Sequence, residues 1–185
     1  MVIIIPFLIS CLILFVLIAF VFLAFFKITE ILSTDAPFIP TSTEVIDNII
    51  ENIQLTKNSV LYDLGCGDAR ILKRAVELEP YINVVGIEIA FIPYLLAKFY
   101  TRKHKRIKIR RENIFEANIS DATHIFLYLY PKAVNKLIEN IKKQCVPGTR
   151  IISCDFEIKS CKPTSVVNLK NKHSKLCRKL FIYTL

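Results

Sequence analysis

Two acids and two glycines, Asp63, Gly65, Gly67 and Glu88, are the residues whose types and spacing point most directly to chemistry. They begin in Val60-Leu61-Tyr62-Asp63-Leu64-Gly65-Cys66-Gly67-Asp68, an apolar run that reads as a buried strand ending in an acid and a glycine-rich turn. Glycine permits a sharp turn and lets the backbone approach a ligand closely. A helical segment predicted over 68–79 follows, so the free N–H groups of a helix start lie behind the turn. A carboxylate at the strand tip repels a pyrophosphate. It attracts a ligand that carries an ammonium and a sulfonium, which are the charges of S-adenosylmethionine. A dinucleotide fingerprint fits poorly, because G-x-G-x-x-G needs a glycine where Arg70 stands, and the G-K-[ST] of a P-loop is absent.

Glu88 ends a second apolar run, Asn83 to Ile89, about twenty residues after the glycines, the usual place for an acid that binds ribose hydroxyls. Ile89 beside it, and Asn113 with Ile114 at the end of a third run, complete an expected cofactor set of Asp63, Gly65, Cys66, Gly67, Glu88, Ile89, Asn113 and Ile114. The Asn113 amide suits a hydrogen bond to adenine, and equally a polar loop. Cys66 is expected to serve as a small side chain within the turn rather than as a nucleophile. Tyr128 and Tyr130 alternate along a fourth run and share one side of a period-two strand. There they are placed to orient an amine acceptor through their ring faces, with simple aromatic packing as the competing role.

The elements that position these residues alternate. Strands are expected over 59–64, 83–89, 107–111, 123–130 and 150–156, separated by helices over 68–79, 91–104 and 132–144. A helix after Thr41-Ser42-Thr43 carries Val45, Ile46, Ile49, Ile50 and Ile53 on one face. Two final strands, 165–169 and 180–185, are joined by a basic turn. The pattern predicts an α/β, Rossmann-like sheet of seven strands, mostly parallel with the last one antiparallel, and helices on both faces. In such sheets ligands bind at the carboxyl ends of the strands.

Ahead of this domain, Val2 to Phe26 holds no charged residue, enough for one transmembrane helix. The run lacks a basic n-region and small cleavage-site residues, so an uncleaved anchor is expected rather than a signal peptide. The division is an anchor over 1–27, a connector and substrate-side segment over 28–40, and the catalytic domain over 41–185. Positive charge C-terminal to the span favours the domain on the cytoplasmic side of a single-pass topology. The six cysteines form no C-x-x-C pair and the three histidines sit at no metal-ligand spacing. No metal is expected, and the thiols read as free in a reducing compartment.

The net charge is +9. Lys98, Arg102, Lys103, Lys105, Arg106, Lys108, Arg110 and Arg111 follow one another with no acid between. Anionic lipid headgroups beside a tethered domain are the favoured partner, ahead of an ordinary solvated face. Nucleic acid is disfavoured, since neither an N/D-P-P-Y/F run nor a cytosine-C5 nucleophile is found at the fourth strand.

With these residues in place, the soluble part resembles the class I S-adenosylmethionine-dependent methyltransferases, in D-L-G-C-G-D, G-I-E-I and the seven strands. More narrowly it is similar to the small membrane-anchored protein-lysine methyltransferases of the adenine nucleotide translocase and ATP synthase c-subunit. That likeness lies in the apolar N-terminus, P-F-I-P-T-S, L-Y-D-L-G-C-G-D-A-R-I and I-F-L-Y-L-Y-P. The resemblance implies S-adenosylmethionine as cofactor, a lysine of a membrane protein as acceptor, and a substrate-side role for Pro40 and Thr41. Two departures are an Asn at position 113 where many relatives carry Asp, and a short stretch between strands five and six. A lipid or quinone-like acceptor, or a non-catalytic tethered binding module, are the alternatives.

Overall fold

The computed structural model describes residues 4–33, 43–169 and 176–185. The chain divides into two compact units, Met1–Thr34 and Asp35–Leu185. The first contains one helix, α1 (Ile4–Ser33). Within it Ile5–Phe25 spans 21 residues at a mean hydropathy of 3.2, long and apolar enough to cross a bilayer. Pro6 falls near the start, where its missing N–H costs little. The Ser10 hydroxyl donates to the Pro6 carbonyl at 2.9 Å.

The second unit runs α2 (Thr43–Ile53), β1 (Val60–Leu64), α3 (Arg70–Leu78), β2 (Asn83–Ile87), α4 (Phe91–Thr101), β3 (Ile107–Arg110), β4 (His124–Leu127), α5 (Pro131–Gln144), β5 (Arg150–Cys154), β6 (Ser165–Asn168) and β7 (Lys179–Thr184). The seven strands form one sheet in the order β3-β2-β1-β4-β5-β7-β6. Strands β1 to β5 are parallel, and β7 is antiparallel to both β5 and β6. The seven-stranded sheet with an antiparallel last strand is thus as expected. The strand order reverses between β1 and β4, the crevice where open α/β sheets hold their ligands.

One face of the sheet presents Leu61, Val84, Ile109, Phe126 and Ile152 to the layer of α2, α3 and α4. The isoleucine face foreseen on α2 is entirely buried there. The other face, with Leu64, Ile87, Ile125, Leu127 and Ile151, is covered by α5 and the segment 114–122. That segment is held by side chains in place of helical packing. Tyr62 donates its hydroxyl to Asp121 at 2.7 Å. Gln144 accepts from the Ile119 N–H at 3.0 Å and donates to the Ala117 carbonyl at 3.2 Å.

The fourth strand is shorter than the 123–130 expected, ending at Leu127. Pro131 occupies the first turn of α5, and Tyr130 sits at its N-cap with φ −59° and ψ 152°. A proline suited to a helix start therefore draws the chain off the sheet, and both Tyr128 and Tyr130 lie beyond the strand on which they were expected to share a side.

Gly86 lies opposite Asp63 in the β1–β2 register. A Cβ there would stand 2.7 Å from Cys66 Sγ, 2.8 Å from Leu72 Cδ1 and 2.9 Å from Ile109 Cδ1. The missing side chain is what lets the glycine turn fold down over β2. Gly86→Ala is therefore expected to destabilise the domain by about 1–3 kcal/mol through overpacking. It should also weaken cofactor binding, because Cys66 must move; thermal melts and calorimetry check the two effects.

Candidate functional site

The site is built at the carboxyl ends of β1 and β2. Three of the chain's four glycines gather there, Gly65, Gly67 and Gly86. Gly65 (φ 87°), Gly67 (φ 56°) and Ala69 (φ 62°) all take left-handed conformations, so every second peptide of the turn is reversed. At Gly65 a side chain would also strike Leu129 Cδ2 at 2.9 Å. The turn is pinned to β2 by the N–H groups of Gly65 and Cys66, which both donate to the Ile87 carbonyl at 2.8 and 3.0 Å. Ala69 opens α3 with no side-chain cap, leaving helix-start N–H groups beside the turn.

Three carboxyl groups converge on this backbone. Glu88, 8 % exposed, accepts from the Gly67 N–H at 2.9 Å and the Ala90 N–H at 2.8 Å, and so ties the turn to the start of α4. Asp68 is neutralised by Arg70, whose Nε and Nη2 reach its two oxygens at 2.9 and 2.6 Å. Asp63 differs from both. It is 3 % exposed, and among the described residues no hydrogen bond or ion pair to its carboxyl is found. Burial, reinforced by the charges of Glu88 and Asp68, pushes its pKa up to about 8. A buried carboxyl lacking an internal partner fits a ligand that brings its own cation. Burial first, then Asp63 and Glu88, likewise drives the Cys66 thiol upward, so it is no thiolate nucleophile.

The remaining expected cofactor residues are distributed less evenly. Ile89 is 45 % exposed beside Glu88. Ile114 is half-buried against the α5-side core. Asn113 serves its own loop: its Oδ1 accepts from the Phe115 N–H at 3.1 Å and its Nδ2 donates to Glu116 at 3.1 Å. Its side chain thus has the loop role that the sequence left open beside the adenine contact.

Tyr128 and Tyr130 both reach the residues that follow β5, by different contacts. The Tyr128 hydroxyl donates to Asp155 Oδ2 at 3.2 Å. The Tyr130 ring lies 6.1 Å from that of Phe156 and remains 42 % exposed. Burial, with the Asp155 charge adding to it, holds the Tyr128 hydroxyl far above the usual tyrosine range. It stays protonated at neutral pH. Pro40 and Thr41 lie outside the described residues.

Asp155 is the residue that sequence reasoning missed. It takes φ 61° just after β5, and its carboxylate accepts the N–H groups of Cys177 (2.6 Å), Arg178 (2.6 Å) and Lys179 (3.1 Å). It therefore ties the end of β5, the start of β7 and Tyr128 together. Its signal was available: an acid directly after an apolar strand, as at Asp63 and Glu88. Cys154 and Cys177 approach to 2.9 Å beside it, and with Asp155 their ligand atoms lie within 4.8 Å of one another. The carboxylate there is already engaged by three N–H groups.

The family model of the ANTKMT methyltransferase domain matches residues 63–165, which begin at Asp63 itself. The chain belongs to this family. It is an S-adenosylmethionine-dependent methyltransferase of the class I fold. It is 31 % identical to a protein-lysine N-methyltransferase of Saccharolobus islandicus (strain REY15A), covering 73 % of this chain and 86 % of that protein. The adenine nucleotide translocase lysine N-methyltransferase of Mus musculus is 22 % identical, with 74 % and 60 % covered. The solved structure of an RNA methyltransferase from Salinibacter ruber in complex with S-adenosyl-L-homocysteine matches at a TM-score of 0.72 and 32 % identity, covering 79 % and 93 %. The tRNA methyltransferase TrmK of B. subtilis shares the fold at a TM-score of 0.61 and 17 % identity, with 80 % and 66 % covered.

The buried Asp63 makes a test possible without cofactor. Between its ordinary value of 3.8 and about 8 the folded chain keeps a proton that the unfolded chain has released. Rising pH therefore erodes stability across that window, and the loss levels off above it. Asp63→Asn removes this contribution. The variant should melt with the wild type near pH 4 and at a higher temperature near pH 8, as thermal melts of the cofactor-free protein over a pH series will measure.

Proposed function

We propose that this methyltransferase is a single-pass membrane enzyme, its domain on the cytoplasmic side, that methylates a lysine amine of a membrane protein. The observation that carries the reading is the unpartnered, buried Asp63 carboxyl beside a left-handed glycine turn, in a chain that shares 31 % identity with a protein-lysine N-methyltransferase. In the assignment we favour, Asp63 receives the cofactor's ammonium, and the backbone of Gly65, Cys66 and Gly67 lies along its methionine part. Glu88 takes the ribose hydroxyls, while Ile89, Asn113 and Ile114 border the adenine. When bound, S-adenosylmethionine supplies a methyl group on a sulfonium, which a neutral amine can accept without a metal or a covalent enzyme adduct.

The acceptor side then has to position rather than activate. Tyr128, fixed through Asp155, offers the lone pairs of a protonated hydroxyl to an N–H of the incoming amine, which releases its proton to water before attack, and Tyr130 offers an exposed ring face for the charge the nitrogen gains as the carbon–sulfur bond breaks. Pro40 and Thr41 complete the substrate side in this reading. The helix of 21 apolar residues confines enzyme and acceptor to one surface, which raises their effective concentration. The RNA methyltransferase of equal similarity, together with the basic stretch 98–111, supports a second reading in which the acceptor is RNA.

The test is to incubate the purified full chain and methyl-labelled S-adenosylmethionine with membranes from cells lacking the protein. Label is expected in protein, at lysine by mass spectrometry. Label confined to lipid extracts or to RNA overturns the lysine assignment. Asp63→Ala should lower cofactor affinity roughly 10- to 100-fold, the worth of one charge-assisted hydrogen bond. Tyr128→Phe should lower kcat and leave cofactor affinity unchanged. Because Asp63 is protonated up to about pH 8 and must ionise against a cation, binding near neutral pH should release a proton. Calorimetry in buffers of different ionisation enthalpy will count it.

A further inference from the structure

Helix α4 is built differently from its neighbours. On α2 and α5 the large apolar residues Ile46, Ile49, Ile50, Leu137, Ile138 and Ile141 are all buried. On α4 the fully buried residues are Pro93, Ala97 and Thr101, three small or compact residues spaced by four, with Tyr94 partly buried beside them. The side opposite carries Phe91 (39 % exposed), Leu95 (45 %) and Phe99 (58 %), and Leu96 (38 %) and Tyr100 (47 %) extend this exposed apolar surface along one flank. Such a ridge is unusual on a water-facing helix. Cations border it. The Arg102 guanidinium lies 4.0 Å above the Phe99 ring and that of Arg111 lies 5.0 Å above Phe91. Lys98, Lys103 and Lys105 are exposed, and no acid occurs from Phe91 to Arg111.

We infer that α4 docks edge-on into the surface of an anionic bilayer, with Phe91, Leu95, Leu96, Phe99 and Tyr100 entering the acyl boundary and Lys98, Arg102 and Lys103 meeting headgroup phosphates. The charge pattern selects this occupant. A second copy packed on the same ridge would set two acid-free basic stretches against each other. A protein partner's contact centre is ordinarily poor in lysine. RNA would satisfy the cations and stack on Phe99, but it would leave Leu95 and Leu96 without a partner. Only an anionic lipid surface takes both halves, as interfacial amphipathic helices do. The helix starts directly after Glu88 and Ala90, so its docked face adjoins the carboxyl edge where the cofactor turn lies. The inference rests on the membrane reading above and adds a second, separable contact to it.

The chain has no tryptophan, so one can be introduced as a sole reporter. Phe99→Trp in the full chain, reconstituted into nanodiscs of mixed anionic and zwitterionic lipid, should emit to the blue and be quenched when the acyl chains are brominated. Val146→Trp, 58 % exposed after α5 on the other layer, should be neither shifted nor quenched. Adding Lys98→Gln and Arg102→Gln should lower the docked-to-free ratio roughly 30-fold, at about one kcal/mol for each cation, and so abolish the Phe99→Trp quenching. Chain that co-elutes with the discs but leaves Phe99→Trp unquenched overturns the docking and spares the anchor. Chain that fails to co-elute overturns the anchor. A blue shift without brominated-lipid quenching, or equal quenching of Val146→Trp, also overturns the docking.

Discussion

A carboxyl group buried at the tip of a central strand, with no cation paired to it among the described residues, is the constraint around which this domain is arranged. Asp63 lies between two other acids, and the chain satisfies those two internally and not the first. Asp68 has the Arg70 fork, and Glu88 has two backbone N–H groups. Either device at Asp63 would have quietened it. Left alone, it is held protonated by burial and makes the cofactor-free fold less stable than it need be near neutral pH. Strained or unsatisfied groups persist where a ligand relieves them. The left-handed turn at Gly65, Gly67 and Ala69 and the bare Cα of Gly86 all serve to bring backbone close to that carboxyl.

Much of this was legible in the residues, for reasons that differ from one element to the next. The strands announced themselves because a parallel sheet is buried on both faces, so after His124 β4 reads Ile-Phe-Leu without a polar interruption. The turn was legible because glycine has few other reasons to recur at that spacing. Helix α2 was legible because its five buried residues fall on one face. What failed was local competition. The run through Tyr130 reads as strand, yet Pro131 draws Tyr130 into a helix cap. Asn113 left two roles open in the sequence, adenine contact or polar loop, and its side chain closes its own turn. Asp155 offered one signal, an acid directly after an apolar strand, but its partners, the N–H groups of residues 177–179, lie more than twenty positions away and carry no side-chain signal. The outward ridge of α4 was hidden for another reason. A helix apolar on all sides gives no periodicity from which to read its buried face.

The relatives sharpen the division between what the fold sets and what the acceptor sets. A lysine methyltransferase and an RNA methyltransferase are equally similar to this chain, at 31 % and 32 % identity. The common ground of such enzymes is the donor side, and methyl transfer makes that economical: the donor is the same molecule whatever the acceptor. Acceptor choice must therefore come from outside the donor side, and in the function proposed above from the ends of β4 and β5 and from what brings the acceptor there.

In this chain those ends are coupled. Asp155 fixes Tyr128 on one side and the first residues of β7 on the other, so Tyr128 cannot shift without loosening the antiparallel edge of the sheet. The donor side is coupled in the same manner, through Glu88, to the first residues of α4. Each half of the site is thus anchored by one carboxylate that spends its oxygens on backbone N–H groups. Among the described residues the Asp63 carboxyl has no such tie. Two carboxylates that hold their loops through backbone N–H groups give the rigidity required by a transfer that needs geometry more than it needs a base.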